Sequence, residues 1–175
     1  MKLLANIHQF DVSMFIWVMG RKRLGWFTRS SRWLSHSGDG YLYALLGAYW
    51  YWSGLPDDRL ILLCALAGFA LERPLYFLLK KGFKRNRPQE AIAGFRSLVV
   101  PSDQFSFPSG HTSAAFLMAT LMAHFHPDLQ MPLYLWAGSV GISRILLGVH
   151  FPTDIVVGMA MGSSIALFSM GIFGA

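Results

Sequence analysis

The sequence predicts an all-α protein, a polytopic bundle of transmembrane helices. More than half of its 175 residues are apolar (54%), beyond the share of an ordinary soluble domain. Its nine acidic residues are too few to hydrate the surface of a soluble globule. Several apolar runs approach the ~20 residues that cross a bilayer as helix. The chain reads as a single domain, residues 1–175.

The elements follow in order. From Leu3 to Met19, Phe10, Met14, Trp17 and Val18 fall at helical spacing with Asp11 on another side. That pattern predicts an amphipathic helix lying in the membrane interface. Gln9 and Asp11 interrupt it and no small-residue cleavage site follows, so it does not read as a removable signal peptide. Arg21, Lys22, Arg23, Arg29 and Arg32 make a basic linker. A first apolar run, Gly38 to Trp52, closes on Tyr49, Trp50, Tyr51 and Trp52, an interfacial aromatic belt. After a turn at Pro56, Asp57 and Asp58 comes a second run, Leu60 to Leu79, interrupted by Glu72, Arg73 and Pro74. Lys80 to Ser109 is the only long polar segment, and such a loop in a compact protein is usually functional. The runs His111 to Phe125, Met131 to Val149 and Pro152 to Gly174 complete five spans, or six if the N-terminal helix also crosses. Five crossings place residues 21–32, the Lys80 loop and the turn at Gly148–Phe151 on one side.

The net charge of +6 does not mark a nucleic-acid binder, because the basic residues cluster between apolar runs instead of spreading along a polar face. That placement suits anionic lipid headgroups or a phosphate-bearing ligand. Cys64 stands alone, which leaves no disulfide or cysteine metal site. The acids are scattered too, with Asp154 the only one among the candidate site residues below. The site therefore reads as metal-free and without a cofactor, its cations doing what paired metals do elsewhere.

Three stretches on the shared side hold the residue types that phosphate chemistry needs. Lys80 and Arg87 lie seven apart, about two helical turns, so a helix ending near Pro88 would put both cations on one face. Taken alone, this stretch reads better as an interface anchor. In Pro108-Ser109-Gly110-His111, Ser109 is placed as an N-cap, with amides behind it that can hold an anion, and Gly110 allows a phosphate to approach closely. Alone, it reads equally as an ordinary capped helix. In the third stretch, Pro152 suits the first turn of a helix, leaving His150 just ahead of it and Asp154 within reach of the imidazole. A carboxylate on one ring nitrogen leaves the other as a nucleophile. The bland alternative is an Arg144–Asp154 ion pair with His150 a bystander, although an arginine near a span end is costly and more often functional. Gly158 and Gly162 read as a pair packing helices within the chain. Glu72 and Arg73 read as a structural pair, and His124 and His126 as interfacial.

Written out, Lys80-x6-Arg87-Pro88, Pro108-Ser109-Gly110-His111 and Ser143-Arg144-x5-His150-x3-Asp154 closely resemble the three-part signature of the type 2 phosphatidic acid phosphatase family. Gly38-Asp39-Gly40 looks like a further family element. The resemblance covers the C-terminal two thirds of the chain. It implies an integral-membrane, metal-independent lipid phosphatase of the bacterial inner membrane. In that role His150 attacks phosphorus, Asp154 orients it, and His111 protonates the leaving oxygen and later activates water. Lys80, Arg87 and Arg144, with Ser109 and the Gly110 amide, hold the phosphate oxygens.

Phosphatidic acid, phosphatidylglycerophosphate and undecaprenyl diphosphate are the candidate substrates, with cell-wall carrier recycling the narrower alternative. Soluble vanadium haloperoxidases share the site, but the hydropathy argues against one. A scaffold or transporter would have lost His111 or His150. The bilayer and the lipid substrate are the implied partners, and the chain is a monomer or homodimer. The basic residues alone would place the site in the cytoplasm. The resemblance implies the extracytoplasmic face, and the reading follows it.

Overall fold

A computed structural model describes residues 2–21, 25–101 and 103–175, and Lys22 and Arg23 of the basic linker lie outside them. The described residues form α1 (Lys2–Arg21), α2 (Trp26–Ser37), α3 (Gly40–Ser53), α4 (Pro56–Phe83), α5 (Pro88–Ala91), α6 (Gly110–Phe125), α7 (Gln130–Leu146) and α8 (Pro152–Phe173), with a 3₁₀ turn at Pro127–Leu129. No strand occurs among them.

The caps follow local chemistry. α4 opens on Pro56 with Asp57 and Asp58 in its first turn and closes on Lys80 and Lys81, matching the helix dipole at both ends. α3 and α8 end on the left-handed glycines Gly54 and Gly174.

α6 is the central element. Every residue from Thr112 to Leu121 is buried, packed among α4, α7 and α8. Gly158 and Gly162 let α8 lie against it: a Cβ at Gly158 would come 2.8 Å from the Ser109 carbonyl oxygen, and one at Gly162 2.1 Å from that of Ser113. The glycine pair thus packs helices within the chain, as its spacing suggests. The outer surface is apolar, with Tyr41, Trp52, Leu66, Leu78, Met131 and Phe168 exposed. A water-facing exterior rarely carries so much contiguous apolar area.

The five apolar runs correspond to α3, α4, α6, α7 and α8. Two segments, Pro56–Ala91 and Pro152–Phe173, are long and apolar enough by themselves to cross a bilayer. α3, α6 and α7 have 14, 16 and 17 residues, short of the ~20 of a full span.

Two local expectations change. The linker after residue 25 is helical, forming α2, whose buried residues are Ser31 and Ser35; a helix that buries serines carries no apolar period to read. α1 keeps the expected separation, with Phe10, Met14 and Trp17 exposed on one face and Asp11 wholly buried on another. α4 ends at Phe83, before Pro88, with Lys84 in the left-handed region at φ 46°. Lys80 and Arg87 therefore do not share a helical face.

Candidate active site

The three stretches converge at one end of the bundle, where the end of α4, the start of α6 and the α7–α8 turn meet the junction of α2 and α3. Arg87 lies beyond α4 in extended backbone, capping the short α5. What joins it to Lys80 is Asp103: Lys80 Nζ and Arg87 Nη2 both donate to Asp103 Oδ1, and Tyr76 Oη donates to Oδ2. Burial opposes ionisation of this carboxyl, but hydrogen bonds from Lys80 and Tyr76, with the charges of Lys80 and Arg87, outweigh it and hold its pKa at about 2. Two cations expected to grip a phosphate thus already grip an anion of the chain itself.

Ser109 caps α6 as expected, its Oγ accepting the Thr112 N–H at 3.5 Å. At Gly110 a Cβ would sit 2.8 Å from the Tyr76 ring, so packing against Tyr76 is sufficient by itself to require glycine there.

The α7–α8 turn depends on Gly148, whose φ of 79° is left-handed and whose Cβ would strike the Phe95 ring at 2.6 Å. Arg87 Nη1 donates to the Val149 carbonyl at 2.6 Å, and the Val149 N–H to the Arg144 carbonyl at 3.1 Å, which ties two site cations to the residue beside His150. His150 is buried. Its Nδ1 lies 3.6 Å from Asp154 Oδ2 and has no hydrogen-bond partner among the described residues, an ion-pair distance longer than a hydrogen bond. Burial pushes the imidazole pKa down to about 3; Asp154 pulls the other way, and Arg87 and Arg144 add to the depression.

Asp154 is fixed from other directions, accepting the Phe151 N–H at 2.8 Å and Arg85 Nη1 at 2.8 Å. Arg85 also bonds Thr153 and the buried Asp11 of α1, and Asp11 in turn accepts the Thr153 N–H at 3.0 Å. Arg144 does not pair with Asp154. Its Nη1 donates to Ser35 of α2, and its Nε is buried without a partner among the described residues.

His111 lies at the cavity edge, its Nε2 bonded to Asp39 Oδ1 at 2.9 Å, while His36 Nδ1 meets Asp39 Oδ2 at 2.9 Å. With Arg32, Ser35 and Arg144 these residues line a cavity of 310 Å³. Among the described residues no cluster of three or more histidine, cysteine or acidic side chains could hold a metal ion.

Sequence reasoning missed Asp11, Arg85 and Asp103 as members of this end of the molecule, and saw Asp39 only as part of a motif. A signal existed for Asp11, since an acid in an apolar helix needs an interior partner. Arg85 and Asp103 lie inside the Lys80–Ser109 loop, where no periodicity marks either of them.

The helical fold and these three stretches define a family: the chain belongs to the PAP2 superfamily, whose model matches residues 59–175. It is 37% identical over 140 residues to the decaprenylphosphoryl-5-phosphoribose phosphatase of Mycobacterium tuberculosis (strain H37Rv), covering 78% of this chain and 75% of that one. Among solved structures it resembles Aquifex aeolicus LpxE, with a TM-score of 0.81, 27% identity and coverage of 93% of this chain and 95% of that one. A transmembrane PAP2-type phosphatidylglycerolphosphate phosphatase from Bacillus subtilis gives a TM-score of 0.76 at 25% identity, covering 97% of this chain and 87% of that one.

Proposed function

We propose that this protein is a membrane lipid phosphatase that hydrolyses a lipid phosphomonoester or diphosphate through a phosphohistidine on His150. The observation that carries this reading is the buried His150, with Asp154 facing one ring nitrogen and Arg87 and Arg144 close enough to act on it. With Nδ1 toward Asp154, Nε2 is left to attack phosphorus as a neutral imidazole. As the N–P bond forms the P–O bond to the lipid breaks, and His111 gives the leaving oxygen a proton. Its Nε2 is held by Asp39, so Nδ1 serves as the donor. Water then attacks the phosphohistidine, His111 takes its proton, the N–P bond breaks and inorganic phosphate leaves.

Lys80, Arg87 and Arg144, with Ser109 and the Gly110 amide, neutralise the charge on the phosphoryl oxygens. Lys80 and Arg87 release or share Asp103 when phosphate enters. These cations serve in place of metal ions, so chelators should leave activity intact and vanadate should inhibit by mimicking the five-coordinate transition state. Activity lost in chelator and restored by magnesium would contradict this.

The reading includes five crossings of the bacterial cytoplasmic membrane by α3, α4, α6, α7 and α8, with the site at the extracytoplasmic face. It is supported by the family membership, the apolar exterior and the phosphatase relatives. The test is phosphate release from a panel of lipid phosphates by the detergent-solubilised protein, with His150→Ala as control. Release by the wild type alone supports it, and no release from any lipid overturns it.

A further inference from the structure

On α4, Phe69, Arg73, Tyr76 and Lys80 are spaced by four, three and four residues, so they share one face. Lys80 stands in the phosphate cradle, and Arg73 lies about 10 Å deeper along the helix axis. An arginine within a membrane helix is costly and calls for a function. The Arg73 side chain is 44% exposed; its Nε bonds the wholly buried Glu72 and its guanidinium lies 4.8 Å over the Tyr76 ring. Its Nη groups form no hydrogen bond among the described residues.

Arg73 lines a 280 Å³ cavity together with Asp39, Tyr43 and His111. That cavity shares Gly40, Tyr43 and Phe69 with a second one of 410 Å³, whose remaining wall is apolar, including Trp50, Leu62 and Leu66. Sharing those residues, the two cavities adjoin among α3, α4 and α6 and make a slot that is polar beside His111 and apolar toward Trp50 and Leu66. Tyr43 lines both parts, and its hydroxyl is buried with no hydrogen-bond partner among the described residues. A buried donor left unpaired is costly, and Arg73 beside it keeps two nitrogens for an acceptor.

Resting on the phosphatase reading above, we infer that Arg73 and Tyr43 form a leaving-group subsite for a second phosphate carried by the departing lipid, whose chain lies in the apolar part of the slot. His111 places the leaving group on this side, because the residue that protonates the departing oxygen also lines the slot. The natural substrate is then a lipid diphosphate, or a lipid whose terminal phosphate is joined through glycerol to a phosphodiester. Phosphatidic acid, which releases an uncharged diacylglycerol, leaves the subsite empty.

The test compares kcat/KM for phosphatidic acid, phosphatidylglycerophosphate and a polyprenyl diphosphate, using full-length protein in detergent. The wild type should prefer one or both of the doubly phosphorylated lipids, and which of the two it prefers identifies the source of the second phosphate. Arg73→Gln should lower that preference relative to phosphatidic acid by roughly tenfold or more, as expected for one charge-assisted hydrogen bond. Tyr43→Phe should shift the ratio in the same direction by less. Because Arg73→Gln strands a buried carboxylate, the double variant Glu72→Gln/Arg73→Gln is measured beside it, and the same fall in ratio is expected. A wild-type preference for phosphatidic acid, or a ratio unchanged in the folded double variant, overturns the inference while leaving the phosphatase reading in place. Absence of release from all three lipids by the wild type overturns both.

Discussion

The site contains two histidine–aspartate pairs, built in opposite ways. His150 and Asp154 are buried, with side chains 3% and 0% exposed, and their carboxylate is anchored through Arg85 to Asp11 on α1. His111 and Asp39 have side chains 26% and 25% exposed and line two cavities. The difference matches what the proposed chemistry asks of each. A nucleophile must be neutral, fixed in line and shielded from water, whereas a proton donor must exchange its proton with solvent and meet leaving groups of different shapes.

The strongest way to break this comparison is to remove the buried member. His150→Ala should abolish turnover and eliminate the acid-labile, base-stable phosphoenzyme, and full activity would end the proposal. The pH dependence sharpens it. Because the folded pKa is pushed down to about 3, His150 should stay neutral from about pH 6 down to about pH 4, where an ordinary imidazole of pKa ~6.5 charges. Phosphoenzyme formation in single turnover should not fall tenfold per unit across that window through loss of the nucleophile. In His111→Asn, where the other histidine cannot contribute, a fall of that steepness would show His150 titrating normally.

The second prediction concerns the exposed pair and the leaving group. His111→Asn should slow phosphoenzyme formation from phosphatidic acid by roughly the 10²–10⁴-fold typical of acid catalysis. An alkoxide leaves only with a proton. A lipid diphosphate expels a phosphate monoester of pKa ~6, so its defect should be much smaller. Burst amplitudes and rates are the readout, because loss of water activation slows steady-state turnover of both lipids. Equal burst defects would make His111 a binding or structural residue.

How much of this the sequence revealed depends on the range of each interaction. The helices of the bundle were legible because their apolar runs are contiguous, and the Ser109 cap and the Pro152 start were legible because caps act within three residues. The relation of Lys80 to Arg87 was misread, since a shared helical face assumed that α4 reached Pro88, while Asp103 joins them from 23 and 16 residues away. The N-terminal contribution was hidden for the same reason: Asp11 meets Arg85 across 74 residues and Thr153 across 142. α2 escaped because Ser31 and Ser35 face inward, and Ser35 is there to receive Arg144.

The smallest expected effect on catalysis tests whether the buried pair depends on that distant anchor. Asp11 lies outside the matched family region, yet it holds Arg85, and Arg85 holds Asp154. Asp11→Asn keeps an oxygen for the Thr153 N–H but removes the charge that positions the guanidinium, freeing Arg85 to pull harder on Asp154. With the carboxylate drawn from His150, the phosphoenzyme rate should fall by about tenfold, the scale of a ~1.4 kcal/mol change in the barrier. KM should change little, because Asp11 touches none of Lys80, Arg87, Arg144 and Ser109, the residues proposed to hold the phosphate. Stability will fall as well, since breaking a buried ion pair strands its partner, so the folded fraction must be measured beside the rate. A purely structural role predicts less folded protein with normal turnover per folded molecule. Asp11→Glu supplies the discriminating control: partial rescue of the phosphoenzyme rate at equal folded fraction supports positioning through Arg85, and a rate in Asp11→Asn equal to the wild type sinks it.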